Sequence, residues 1–193
     1  MNDAIEAIRR FVHVLDALGI EYLIGGSIAS IVYGKARTTR DVDFVLTISP
    51  TDAGPLVAAL NLEFYVDLTA VERAIADGDC FNALTTDAVF QVDVFTPKSS
   101  AWTLAQFDRR QLHRLGASEA AVDAYLASPE DIVLNKLHGY SLGNCVSKLQ
   151  WEDAVGVLAV QMDRLDDAYL REWAERLELS ELLLEAKRAA AVS

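Results

Sequence analysis

With 193 residues, 52% of them hydrophobic, the chain can fill one core, or one core plus a small helical appendage, and is too apolar for wholesale disorder. Its 17 lysines and arginines against 29 acidic residues give a net charge of -12, which excludes indiscriminate nucleic-acid binding because phosphate would be repelled over most of the surface. Two cysteines without CxxC spacing, and no uncharged apolar run approaching ~20 residues, argue against a disulfide framework or a membrane span, so a reducing cytoplasm is the predicted location.

Ile5, Ile8, Val12 and Leu15 recur at helical spacing, Asn2 or Asp3 can cap the start, and Gly19 ends the helix. Residues 22–24 read as a short strand. Gly25 and Gly26 then permit a turn too tight for a side chain, and Ser27 is placed to cap a helix running to about Tyr33. A strand delivered into a helix N-terminus presents free N–H groups and a positive dipole end, which favours phosphate oxygens. Gly34 closes this helix, and Lys35, Arg37 and Arg40 make the following connector basic. Over residues 41–46 the strand period of two puts Asp41 and Asp43 on one face and Val42, Phe44 and Leu46 on the other. Like charges side by side on a strand repel, and they invite a cation between them.

Pro50 and Thr51 start a helix that buries Leu56, Val57 and Leu60. Residues 62–67 suggest a strand, 69–76 a short helix and 80–85 a further strand. The strand over 89–95, closed by Thr96-Pro97, carries Asp93 among β-branched and aromatic neighbours, where a lone aspartate needs a partner. Residues 98–115 hold Lys98, Arg109, Arg110, His113 and Arg114, the most basic region, readable as a solvated loop or a patch for a partner. One more strand is expected over 122–126. Ser128-Pro129-Glu130-Asp131 then opens a helix reaching about Tyr140, with Ser as N-cap, Pro at the first position and acids in the first turn. Helices follow over 146–161, over 168–177 capped by Asp166 or Asp167, and over 180–190, with Leu170, Trp173 and Leu177 as one buried stripe. Residues 1–127 are thus expected to form a mixed α and β core, and 128–193 a helical subdomain packed on it.

His13, His113 and His138 lack the spacing of a zinc site. Gly25-Gly26-Ser27 continues to Ala29 without the second glycine of a serine-hydrolase elbow. Trp102, Trp151 and Trp173 stand in contexts suited to core packing.

Gly25-Gly26-Ser27, thirteen intervening positions, Asp41-Val42-Asp43-Phe44, and Val92-Asp93-Val94 far downstream together resemble the signature of the polymerase-β-like nucleotidyltransferase superfamily. Within it, the run from Arg37 to Phe44, the helix beginning at Ser128 and the closing helical region look like the AbiEii-type nucleotidyltransferases, many of them toxins of toxin–antitoxin systems. The resemblance spans about residues 5–185. It implies an α+β nucleotidyltransferase fold, a mixed sheet flanked by helices and followed by a C-terminal helical subdomain. It implies too that Asp41, Asp43 and Asp93 are catalytic and hold two Mg²⁺ ions, or Mn²⁺, with Asp93 orienting or helping to deprotonate the incoming hydroxyl. Gly25, Gly26 and Ser27 would bind the triphosphate, joined by Lys136 and by Arg40 or Arg37. The rival for Lys136 is a solvated helix lysine pairing with Asp131 or a neighbour, and for Asp93 a strand-end residue capping a turn. The implied reaction moves an NMP from an NTP to a macromolecular hydroxyl, a tRNA 3′ end in a toxin, with a cognate antitoxin as partner. Transfer of AMP to a partner protein, as minimal antitoxins do to their toxins, and a non-catalytic nucleotide-binding module are the alternatives; no membrane partner is implied.

Overall fold

Alternating and helical apolar patterns translate into the following elements of a computed structural model that describes residues 2–86, 90–117 and 121–192. In chain order they are α1 (Asn2–Leu18), β1 (Glu21–Ile24), α2 (Gly26–Tyr33), β2 (Asp41–Thr47), α3 (Ala53–Leu60), β3 (Phe64–Tyr65), α4 (Leu68–Asp77), β4 (Cys80–Thr85) and β5 (Gln91–Phe95). There follow α5 (Ala101–Asp108), β6 (Gln111–Leu115), β7 (Val122–Leu126), α6 (Pro129–Leu142), α7 (Lys148–Gln161), α8 (Asp167–Arg176) and α9 (Ser180–Ala190). Val89, expected to open β5, and the side chains of Asn2 and Asp3, expected to cap α1, lie outside the described residues. The chain forms two compact units, residues 1–25 with 38–126, and residues 26–37 with 127–193, so the helix after the Gly-Gly turn is grouped with the C-terminal helices.

The first unit holds a seven-stranded sheet in the order β3-β4-β5-β2-β1-β7-β6. The sheet is mixed: β2 pairs in parallel with β5, and β1 with β7, while the other pairs are antiparallel. Val42, Phe44 and Leu46 of β2, Val92 and Val94 of β5, and Phe81 and Ala83 of β4 are buried on one face, as their period-two spacing requires. That core is completed by Ile8, Phe11, Val12 and Leu15 of α1 and by Leu56, Val57 and Leu60 of α3. At its centre the Phe11 ring meets Phe44 at 4.7 Å and Phe64 edge-on at 5.4 Å, separations at which aromatic quadrupoles attract.

Two expectations change here. The strand expected over 62–67 shrinks to Phe64–Tyr65, because Glu63 N–H turns back to the Leu60 carbonyl at 3.0 Å and the Asp67 carboxylate is taken by the Ala70 N–H as the cap of α4. The basic region over 98–115 is no loop: Ser100 caps α5, and β6 forms an edge strand. Two of its cations are served nearby, Arg110 by Glu21 at 2.8 Å and by the Tyr125 ring, and Arg114 by Asp123 at 3.3 Å.

In the second unit, Ser128, Ser147 and Asp166 accept backbone N–H groups as the N-caps of α6, α7 and α8. Buried Glu130 accepts the Asp166 N–H at 2.7 Å, and the Tyr169 hydroxyl donates to Asp131 at 2.7 Å, which pins the start of α8 to α6. Of the expected stripe, Leu170 and Trp173 are buried, but Leu177 is the residue after α8 and only half-buried. The left-handed Glu178 (φ 59°) redirects the chain, and Leu179 takes the interior place. Among the described residues no helix is long and apolar enough to cross a membrane.

Candidate functional site

The sequence-selected residues divide between the two units. In the first, β2 lies between β1 and β5, and its parallel register with β5 sets Asp43 directly opposite Asp93 and Asp41 opposite Gln91. The face is forced by the core, since Val42, Val92 and Val94 are fully buried and their neighbours must project the other way. On β4, Asn82 stands opposite Asp93 in turn. The Asp93 carboxylate accepts hydrogen bonds from the Asn82 and Gln91 side-chain amides, and the Asp41 carboxylate accepts one from the Thr39 hydroxyl. Asp93 therefore has the partners that a strand aspartate needs. It sits in mid-strand and does not cap the turn at Thr96, whose hydroxyl donates to the Asp79 carbonyl at 3.0 Å.

Among the described residues no three His, Cys, Asp or Glu side chains are gathered closely enough to hold a metal ion. Thr39, Asn82 and Gln91, none of them marked by the sequence motif, occupy oxygens of Asp41 and Asp93 in this arrangement. In chemical type the set nevertheless suits a hard divalent cation: three carboxylates, half-buried, on one sheet face, supported by neutral donors. Arg40 is exposed at the entrance to β2, where its carbonyl accepts the Gln91 N–H at 3.4 Å.

The unit boundary falls at the Gly25–Gly26 peptide bond. Gly25 donates its N–H to the Asp43 carbonyl at 2.9 Å, anchoring the end of β1 to β2, and a Cβ there would meet nothing within 4 Å. Gly26 has φ +49°, a left-handed value that a side chain would penalise, and it opens α2. The helix already includes Gly26 and Ser27, so Ser27 lies within its first turn and not at the capping position before it. Ser27 is instead buried, and its hydroxyl accepts from Arg37 Nη2 at 2.9 Å.

Arg37 belongs to a cluster that the sequence reading missed. Its Nε and Nη2 donate to the two oxygens of Asp153 at 2.9 and 2.8 Å, a bidentate pair, and Lys136 Nζ reaches the same carboxylate at 2.9 Å. Asp153 is 8% exposed and Lys136 7%. Lys136 is thus neither solvated nor paired with Asp131, whose oxygens serve Ser128 and Tyr169. Burial pushes the Asp153 carboxyl up, and the hydrogen bonds and charges of Arg37 and Lys136 outweigh it, leaving the group below the ordinary aspartate range. Counting Arg37, Lys136 and Asp153, the cluster carries one net positive charge. A signal was present in the sequence: Asp153 heads the run Asp153-Ala154-Val155-Gly156-Val157-Leu158, too apolar on all sides to be a solvated helix face.

The connector is locked against α7 at Gly34, where a Cβ would lie 2.8 Å from the Ser30 carbonyl and 3.0 Å from the Val157 nitrogen. That approach delivers Arg37 to Asp153.

No family model matches the chain, and no curated protein does. Among solved structures it is similar to an antigenic nucleotidyltransferase-like protein from Paracoccidioides brasiliensis, at 18% identity and a TM-score of 0.57, over 97% of this chain and 93% of that one. It is similar also to the antibiotic-resistance factor ANT(2'')-Ia in solution, at 14% identity and a TM-score of 0.54, over 99% and 96% of the two chains. The crystal structure of ANT(2'')-Ia in complex with adenylyl-2''-tobramycin matches at 14% identity and a TM-score of 0.56, over 91% of this chain and 97% of that one. At such identities the likeness is one of fold, and it is the α+β nucleotidyltransferase-like fold that the sequence resemblance implied.

Proposed function

We propose that the protein is a nucleotidyltransferase that moves a nucleoside monophosphate from an NTP to a hydroxyl of a macromolecular acceptor. The observation that carries this reading is the register of β2 against β5, which sets Asp43 opposite Asp93 with Asp41 on the same face of a nucleotidyltransferase-like fold. Asp41, Asp43 and Asp93 would hold Mg²⁺, which when bound neutralises charge on the triphosphate. In the reaction the acceptor oxygen bonds to the α-phosphorus, the bond from that phosphorus to the bridging oxygen breaks, and pyrophosphate leaves. Asp93 orients the acceptor hydroxyl and takes its proton at a carboxylate oxygen, while the Asn82 and Gln91 amides hold that carboxylate in place. The backbone of Gly26 and the Ser27 hydroxyl bind phosphate oxygens at the start of α2, and Arg37 and Lys136 supply the positive charge. Arg40, at the mouth of β2, is the further candidate for a phosphate contact.

The acceptor in this reading is a tRNA 3′ end, with toxin activity in the cytoplasm and a cognate antitoxin. The net charge of -12 favours a second acceptor, a protein hydroxyl, since it repels no phosphate backbone. The deciding experiment supplies each labelled NTP with Mg²⁺ to the protein together with total tRNA, lysate protein or, prompted by the adenylyl-2''-tobramycin bound to ANT(2'')-Ia, unmodified tobramycin. Label is expected in one acceptor and is expected to vanish in the Asp41→Ala, Asp43→Ala double variant. Label that persists in that variant refutes the carboxylate assignment; NTP binding without pyrophosphate release across all acceptors points to the inert module.

A further inference from the structure

The second unit contains a cleft of about 470 Å³ bordered by the Arg37–Asp153 pair. Its walls come from the connector (Lys35, Arg37), from α7 (Leu149, Trp151, Glu152) and from Ala189 near the end of α9. The volume lies in the range of about 300–1,000 Å³ that small-molecule sites occupy. Trp151 packs on the Tyr140 ring, centroids 5.3 Å apart, yet stays half-exposed and lines the cleft, where core packing alone would have buried it as it buries Trp173. Leu149, 50% exposed, adds apolar surface to the same lining, to which Ala189 contributes only a methyl group. Glu152 and Lys35 supply an acceptor and a donor on the same lining. An aromatic wall, apolar flanks and a few polar groups make the chemistry of a nucleobase seat, in which stacking supplies affinity and edge hydrogen bonds supply choice.

Continuity with the phosphate side argues the same occupant. Arg37 lines the cleft and, within the same unit, donates to Ser27 and Asp153, so one guanidinium borders both the cleft and the groups assigned to phosphate. We infer that this cleft seats the base of the NTP and that Trp151 is its stacking surface, with Glu152 and Lys35 determining which base is preferred. The inference rests on the nucleotidyltransferase reading and adds to it the residues that choose the nucleotide.

Calorimetric titration of the full chain in MgCl₂ with ATP, GTP, CTP, UTP and inorganic tripolyphosphate tests it, because tripolyphosphate has charge but no base. Trp151→Ala is expected to weaken the best-bound NTP about tenfold or more while tripolyphosphate changes by less than about twofold, and Trp151→Phe, which keeps a stacking ring, is expected to restore most of the loss. Ala189→Phe fills the cleft from another helix and is expected to reproduce the NTP-selective loss, with an unchanged Tm showing that the fold is intact. The base seat is overturned if both Trp151→Ala and Ala189→Phe leave NTP affinity unchanged, if they weaken tripolyphosphate equally, or if the native protein binds tripolyphosphate as tightly as every NTP. A native protein that binds neither NTP nor tripolyphosphate overturns the nucleotidyltransferase reading as well.

Discussion

In the sheet unit, Asp41 and Asp93 stand half-buried and are supported by neutral groups, the Thr39 hydroxyl and the Asn82 and Gln91 amides; in the helical unit, Asp153 is buried and supported by two cations. The difference separates two uses of a carboxylate. Neutral donors leave the negative charge of the sheet aspartates uncancelled and open to a cation, so their loss is expected to injure chemistry and spare the fold. The cations around Asp153 cancel its charge in a place that water scarcely reaches, so its loss is expected to injure the fold first.

The largest expected effect lies on the sheet side. Removing Asp41 and Asp43 together should cost more than the 10- to 100-fold, roughly, that loss of an outer partner of a metal ligand costs, read as the rate of label transfer, while stability shifts by no more than about 0.5 kcal/mol. A large fall in Tm would break the contrast by showing these carboxylates to be structural. Next comes Asp153→Ala, which strands Arg37 and Lys136 and should lower unfolding stability by about 3–5 kcal/mol in urea titration. Pairing Asp153→Leu with Lys136→Met should recover a good part of that, since the buried cost is that of an unbalanced charge.

Gly34→Ala should cost about 1–3 kcal/mol, because the added methyl would lie 2.8 Å from the Ser30 carbonyl and the connector would have to lift from α7. The smallest effect is the dependence on pH. The folded-state pKa of Asp153 is depressed, so its contribution is fully present above the unfolded value, about 3.8, and is lost as pH falls through the folded value. The stability difference between the native protein and Asp153→Asn should therefore stay level from neutral pH down toward 3.8 and decline below it.

Local pattern made much of this legible. The alternation of Asp41 to Leu46 placed the aspartates and the core correctly, and Ser128-Pro129 marked the start of α6. Two kinds of information were out of reach. Strand register is decided by partners remote in sequence, so nothing near Asp93 said that it would face Asp43 on one side and Asn82 on the other. Ion pairing is similarly remote: Arg37 and Asp153 are 116 positions apart, and a lysine on a helix looks solvated until its buried partner is known. The start of α2 was misplaced by a smaller margin: the helix takes in Gly26, whose φ is +49°, so Ser27 falls inside its first turn.

The parallel pairing of β2 with β5 also bears on which genetic changes this chain can survive. Along both strands the core side chains and the candidate chemical ones occupy alternate positions, Val92 and Val94 against Asp93, Val42 and Phe44 against Asp43. An inserted or deleted codon within either strand would exchange the two sets, turning a carboxylate into the core and a valine to the face. Lineages of this protein should therefore keep the length of these strands and their alternation of apolar and acidic positions, while exchanging one apolar residue for another of similar size at the buried positions.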